Sequence, residues 1–259
     1  MHSAAFRALG IADRWTYEAI ELSPAEFPAG VARLVEEGFT GVNVTIPHKG
    51  AALALADHPS GAAAEIGAAN TLSFLTGGIR ADNTDATGLI AALPRDPSGL
   101  RALILGAGGS ARAAAWALTR AGAEVSVHNR TPERANELAR DLGVRAIEPA
   151  SQIPLDGYDL LVNATSIGLE APGSESRKTA SGLKALPVRV DELRDRMVVV
   201  DLVYGAKPTE LTAVARRQGA SVVDGLEILV RQGAESLRIW TGEEPPLETM
   251  REAVRNGNR

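Results

Sequence analysis

The chain has 259 residues, 45% of them apolar and 23% charged, the balance of a soluble globular protein long enough for one large or two ordinary domains. A formal net charge of −5 argues against a nucleic-acid partner, and the absence of cysteine removes disulfides, thiolate catalysis and cysteine-ligated metals. His2, His48, His58 and His128 show no ligand spacing, so no metal is expected. With no membrane-length apolar run and no leader pattern, a cytoplasmic protein is the default expectation; the partner expected is a small-molecule substrate, for a monomer or homodimer.

In chain order, "MHSAAFRALG" (1–10) predicts a short amphipathic helix closed by Gly10. "WTYEAIEL" (15–22) is aromatic and alternating and predicts a strand. Ser23 and Pro24 supply an N-cap and a first-turn proline for a helix ending at Gly38. "FTGVNVT" (39–45) predicts a strand, "HKGAALALAD" (48–57) a helix, and 70–83 a hairpin turning at "TGG". "TDATGLIAAL" (84–93) is helical and runs into "PRDPSG" (94–99), a linker by composition.

After the linker the pattern changes. "LRALILG" (100–106) is a continuous apolar strand, followed by glycines and an alanine-rich helix. "AEVSVHNR" (123–130), "YDLLVNAT" (158–165) and "MVVVDLVY" (197–204) are further strands, separated by segments able to form helices. Such alternation, with strands apolar on both faces, predicts a parallel sheet covered on both sides. The fold class is therefore α/β with two domains, about 1–86 and about 87–224. The helical tail, 225–259, is expected to pack back on the first, because its apolar stripe would otherwise stay wet.

Two stretches suggest chemistry. "LILGAGGSARAA" places Gly106, Ala107, Gly108, Gly109 and Ser110 between a strand and a helix, with Ala111 as the small third residue of a dinucleotide-binding fingerprint. The next strand ends not in the acid that would hold NAD ribose hydroxyls but in Asn129, Arg130 and Thr131, with Arg134 one turn on. Guanidinium groups there favour a 2′-phosphate, hence NADP. The same residues are also consistent with a plain glycine turn and a solvated helix start. In "NVTIPHK" (43–49), Lys49 follows a strand end at a proline turn, where open α/β sheets keep their sites, and can act as an acid or base. Asp85, at a helix start beside the domain junction, is the carboxylate singled out as its partner, with Asn83 two residues before it. A solvated lysine and an N-cap aspartate fit the spacing equally well.

At these residues the chain resembles the shikimate dehydrogenase family. The matching blocks are "MHSAAF", "GVNVTIPHK", "GAANTL", "DNTDATG", "GAGGSARAA", "NRTPERA", "NATSIG", "DLVYGAKPTEL" and "GLEILVRQGAESLRIWTG", in order and nearly end to end. The resemblance implies a substrate domain with a mainly parallel sheet and a doubly wound Rossmann domain for NADP(H). It implies Lys49 and Asp85 as the catalytic pair, and Thr45, Asn70, Asp85, Tyr204 and Gln232 as substrate contacts. Gly106 to Ser110 would hold the pyrophosphate, and Asn129, Arg130, Thr131 and Arg134 the 2′-phosphate. Thr165, Leu202 and Gly225 would line the nicotinamide end. The implied reaction is reversible reduction of 3-dehydroshikimate to shikimate, in the chorismate route to aromatic amino acids. An NAD-using quinate/shikimate dehydrogenase and a non-catalytic NADP-binding relative are the alternatives. The family begins with a strand and a Ser-x-Ser-Pro turn, whereas this chain begins at "MHSAAF". That difference implies one strand and two hydroxyl donors fewer, weaker handling of shikimate than of NADP, and open strand edges prone to pairing.

Overall fold

The computed structural model describes residues 1–149, 152–167, 182–205 and 207–257. These form two compact units, Met1–Ala91 with Leu229–Gly257, and Ala92–Ile228.

The first unit opens with α1 (His2–Ala8), closed where Gly10 takes φ +68°. Residues 15–22 do not form the predicted strand. Among the described residues no strand pairs with them, and an unpaired extended segment has no ladder to satisfy its backbone. Side chains hold the segment instead. Trp15 packs on Phe6, Tyr17 stacks on His2 at 4.2 Å, and Leu22 leans on the core around Phe27, Val31 and Leu72. Helix α2 (Phe27–Glu36) starts later than Ser23–Pro24 predicts. Those residues form a preceding turn, in which the Ser23 N–H donates to the Glu26 carboxylate at 2.9 Å.

Strand β1 (Gly41–Asn43) is shorter than its apolar run, because the proline turn follows at once. Then come α3 (Lys49–Ala54), β2 (His58–Pro59), α4 (Gly61–Ile66), the predicted hairpin β3 (Thr71–Leu75) and β4 (Gly78–Asp82), and α5 (Thr84–Ala92). The sheet order is β1-β3-β4-β2. This sheet is mixed rather than mainly parallel. β3 runs antiparallel to both β1 and β4, and only the two-residue β2 is parallel to its neighbour. For β3 and β4 the tight turn dictates this, since a two-residue connection can join only antiparallel strands.

The second unit contains β5 (Arg101–Leu105), α6 (Gly109–Arg120), β6 (Glu124–His128), α7 (Pro132–Leu142), β7 (Arg145–Ala146), β8 (Leu160–Asn163), β9 (Val198–Asp201), α8 (Glu210–Arg217) and β10 (Ser221–Val223). Its sheet is parallel throughout, in the order β10-β9-β8-β5-β6-β7. The chain winds outward from β5 to β7, then crosses to β8 and winds the other way. That reversal makes the crevice between β5 and β8 the switch point of a doubly wound sheet. The two-sided burial of β5, β8 and β9 explains their unbroken apolar sequences. Helix α6 can lie close to the sheet because Ala111, Ala113, Ala114, Ala115 and Ala117 are its buried residues, together with Leu118.

The chain finishes with α9 (Gly225–Thr241) and α10 (Leu247–Gly257). The boundary between the units falls inside α9, so the rest of that helix and all of α10 complete the first unit.

Candidate active site

In the first unit, the Lys49 ammonium donates to the Asp85 carboxylate at 2.5 Å, and the two side chains are only 12% and 15% exposed. Local structure aims both. The Val44 N–H donates to the Asn70 carbonyl at the end of β1, and the turn that follows, with the His48 N–H on the Thr45 carbonyl, delivers Lys49 as the first residue of α3. Asp85 sits in the first turn of α5 but does not cap it. The cap is Asn83, whose side-chain oxygen accepts from the Ala86 N–H at 3.3 Å while its amide donates to the Ala68 carbonyl. The N-cap reading of Asp85 is thus corrected, and its carboxylate is left to the lysine.

Asn70 organises the rest. The Thr84 backbone N–H donates to its side-chain oxygen at 2.7 Å, which settles which way round the amide lies. The Asn70 amide nitrogen then faces Asp85 at 2.9 Å and Gln232, from α9, at 3.1 Å. Gln232 is steadied by donating to the Leu229 carbonyl. Helices α5 and α9 approach closely enough for this only because residue 88 is glycine; a Cβ there would lie 2.9 Å from the Gln232 nitrogen. Lys49, Asn70, Asp85 and Gln232 therefore form one cluster. Thr45 lies exposed on the turn before Lys49, and among the described residues its side chain makes no hydrogen bond to the cluster. Sequence reasoning missed Thr84, Thr71, Asn43 and Tyr17. The Tyr17 hydroxyl donates to Asn43, Asn43 to Thr71, and Thr71 to Asn70. Only the polar run "NTDATG" hinted at Thr84.

In the second unit, the glycine loop leaves β5 as the fingerprint predicts. Gly106 has φ +111°, and a Cβ on it would meet the Ala164 carbonyl oxygen at 2.7 Å. Gly108 stands at the N-cap of α6 and faces open space, so an anion can approach the backbone amides of the first turn. Asn129 bends back to donate to the Thr131 carbonyl, and Thr131 is the N-cap of α7. Arg130 and Arg134 are exposed and have no ion-pair partner among the described residues. Such a donor set suits a phosphate. Just before them, burial pushes the His128 imidazole below its usual pKa.

Across the switch point, Thr165 follows β8, Leu202 and Tyr204 follow β9, and Gly225 opens α9. A Cβ on Gly225 would lie 2.7 Å from the Val203 carbonyl oxygen. Beneath them is a buried network that the sequence did not announce. Asn163 donates to Asp201 at 2.9 Å, and its oxygen accepts from the Thr165 hydroxyl at 2.8 Å. Burial pushes the Asp201 carboxyl above its usual range, against hydrogen bonds from Thr209, Val203 and Asn163 that pull it down.

No helix among the described residues is long and apolar enough to cross a membrane, and none of their acidic or histidine clusters could hold a metal ion. Three family models match the chain. They are the shikimate dehydrogenase substrate binding domain over residues 1–72, shikimate / quinate 5-dehydrogenase over 91–202, and the shikimate 5′-dehydrogenase C-terminal domain over 225–255. A shikimate dehydrogenase (NADP(+)) of Methanothermobacter thermautotrophicus is 41% identical over 98% of this chain and 90% of its own length. The crystal structure of a Thermus thermophilus shikimate 5-dehydrogenase with NADP(H) and shikimate is similar with a TM-score of 0.82 and 39% identity. The match covers 98% of this chain and 92% of that one. A ligand-free 5-ketofructose reductase of Gluconobacter has a TM-score of 0.84 at 30% identity, covering 98% and 91%, so the same fold also serves another ketone. With family models over most of its length and a relative at this identity end to end, the chain belongs to the shikimate dehydrogenase family.

Proposed function

We propose that the protein is an NADP-dependent shikimate dehydrogenase that reversibly reduces the ketone of 3-dehydroshikimate. The observation that supports this best is the enclosed Lys49–Asp85 pair, set against the amides of Asn70 and Gln232. A polyhydroxylated substrate needs a polar partner for each hydroxyl, and this cluster, with Thr45 on the turn before it, offers them. Lys49 holds a proton for the carbonyl oxygen as it becomes an alkoxide, and gives it up there; in the oxidative direction it receives that proton. Asp85 fixes the ammonium and accepts from a substrate hydroxyl. The bound nicotinamide supplies or accepts the hydride. Gly106, Ala107, Gly108, Gly109 and Ser110 hold the pyrophosphate. Asn129, Arg130, Thr131 and Arg134 hold the 2′-phosphate, and Thr165, Leu202 and Gly225 border the nicotinamide.

The test follows absorbance at the reduced-nicotinamide band with shikimate or quinate, each with NADP or NAD. Shikimate with NADP should give the fastest turnover. No oxidation of either polyol would sink the assignment, and NAD working as well as NADP would remove the cofactor reading. Arg130→Ala should weaken NADP by about tenfold to a hundredfold, the loss of one charge-assisted hydrogen bond to phosphate. In the same calorimetric titration it should leave NAD nearly unchanged.

A further inference from the structure

Asp201 is fully buried at the carboxyl end of β9, and three donors converge on it. The Asn163 amide reaches one oxygen at 2.9 Å and the Val203 backbone N–H the same oxygen at 3.1 Å, while the Thr209 hydroxyl reaches the other at 2.5 Å. Each donor belongs to a different piece of the crevice rim. Asn163 ends β8, and its own oxygen accepts both the N–H and the hydroxyl of Thr165, at 3.2 and 2.8 Å. Val203 lies in the loop that carries Tyr204, and its carbonyl closes on Gly225. Thr209 is the N-cap of α8, accepting from the Thr212 N–H at 3.2 Å. One carboxylate thus ties the exit of β8, the exit of β9 and the start of α8. It does so on the side of the switch point away from the β6 exit, where Arg130 sits. With a pyrophosphate on the β5–α6 loop and the adenosine half towards β6, the reacting half of a dinucleotide lies over β8 and β9.

We propose that Asp201 is a positioning residue for the nicotinamide half of the dinucleotide, acting through Asn163 on Thr165 and through the Val203 N–H on the Leu202–Tyr204 loop. This rests on the dinucleotide reading given above. The carboxylate touches neither cofactor nor substrate. It fixes the loops that do, and a displacement of about 1 Å at a reacting centre can cost about a hundredfold in rate.

The test compares two probes on the full chain. NADPH carries the nicotinamide, and adenosine 2′,5′-bisphosphate has the phosphate end without it. Asp201→Ala should lower turnover by about a hundredfold and weaken NADPH by about tenfold, while adenosine 2′,5′-bisphosphate binds within about twofold of wild type. Asp201→Asn should recover most of the loss, because an amide oxygen still accepts from Asn163 and Val203 and its nitrogen can donate to Thr209. Should Asp201→Ala not fold, Asn163→Ala cuts the link to Thr165 alone and should separate the two probes in the same direction. Equal weakening of both probes, or unchanged NADPH affinity and turnover in both alanine variants, would overturn the proposal. If wild type binds NADPH but oxidises no shikimate, the substrate assignment fails while the two titrations still decide the role of Asp201. A wild type that binds neither probe overturns both.

Discussion

Lys49 shows how little one residue type says without its surroundings. A lysine at a helix start is usually a solvated charge; this one is 12% exposed and bonded to a carboxylate that the Asn70 amide also holds. Replacing it should therefore affect chemistry more than folding. Lys49→Ala is expected to lower turnover at saturating substrate by about 10²–10⁴-fold, the usual contribution of a positioned acid or base. The NADP dissociation constant, measured alongside, should stay close to that of wild type, since the phosphate loop belongs to the other unit. Near-normal turnover would return Lys49 to the role of a plain helix-start charge. The pair itself could be suspected from "NVTIPHK" and "DNTDATG". The cap on Asn83, which frees Asp85, could not, because Asn, Thr and Asp in a row are all competent caps.

Between elements, the packing of α1 on α9 has a consequence for stability. His2 is buried, and its ring nitrogen is 3.1 Å from the Gly233 carbonyl oxygen, so it donates there as a neutral imidazole. A Cβ at Gly233 would fall 3.2 Å from the His2 ring, so the glycine sets this close approach. Burial drives the His2 pKa from 6.5 down to about 4, the Gly233 hydrogen bond opposing this only in part. The folded chain thus resists a proton that the unfolded chain accepts. The contribution is fully present above about pH 6.5 and is lost as pH falls through about 4. The complete loss amounts to about 3 kcal/mol. Urea midpoints at pH 7 and pH 4.5 should fall further for wild type than for His2→Gln, which cannot titrate. Parallel falls would show that His2 is not the group responsible.

For the molecule as a whole, the first unit is discontinuous. It is completed by residues that come after the entire second unit. Long-range bonds depend on them, among them His2 to Gly233, Asn70 to Gln232, and the Trp240 indole to the Leu72 carbonyl. The second unit has its own core around Leu103, Leu155, Leu161, Val199 and Leu211. A chain ended after Ile228 should lose shikimate turnover but keep NADP binding, since a domain with its own core tends to fold as a unit. Limited proteolysis of that chain should digest 1–91 and spare 92–228. Equal digestion of both would show that the second unit depends on the first.

By itself the sequence determined four of the six strands of the second unit's sheet, β5, β6, β8 and β9, and the glycine loop after β5, but not the short edge strands β7 and β10. Unbroken apolar strands, a glycine at 106 and an alanine-rich helix each satisfy a local requirement, burial on two faces, positive φ or close packing. Such requirements leave marks at short range. The absence of an acid after β6 was equally legible, because charge is written in single residues. What only the tertiary structure decided depends on partners distant in the chain. Residues 15–22 have the composition of a strand, yet a strand exists only when another pairs with it, and here none of the described residues does. The direction of β1 relative to β3 is likewise set by pairing and not by the apolar pattern, which is the same for either direction. Gln232 reaches Asn70 across 162 positions, and Asp201 gathers Asn163 and Thr209 from separate segments. Polar residues of this kind carry no periodicity, and their role follows from the buried donors and acceptors that folding brings around them.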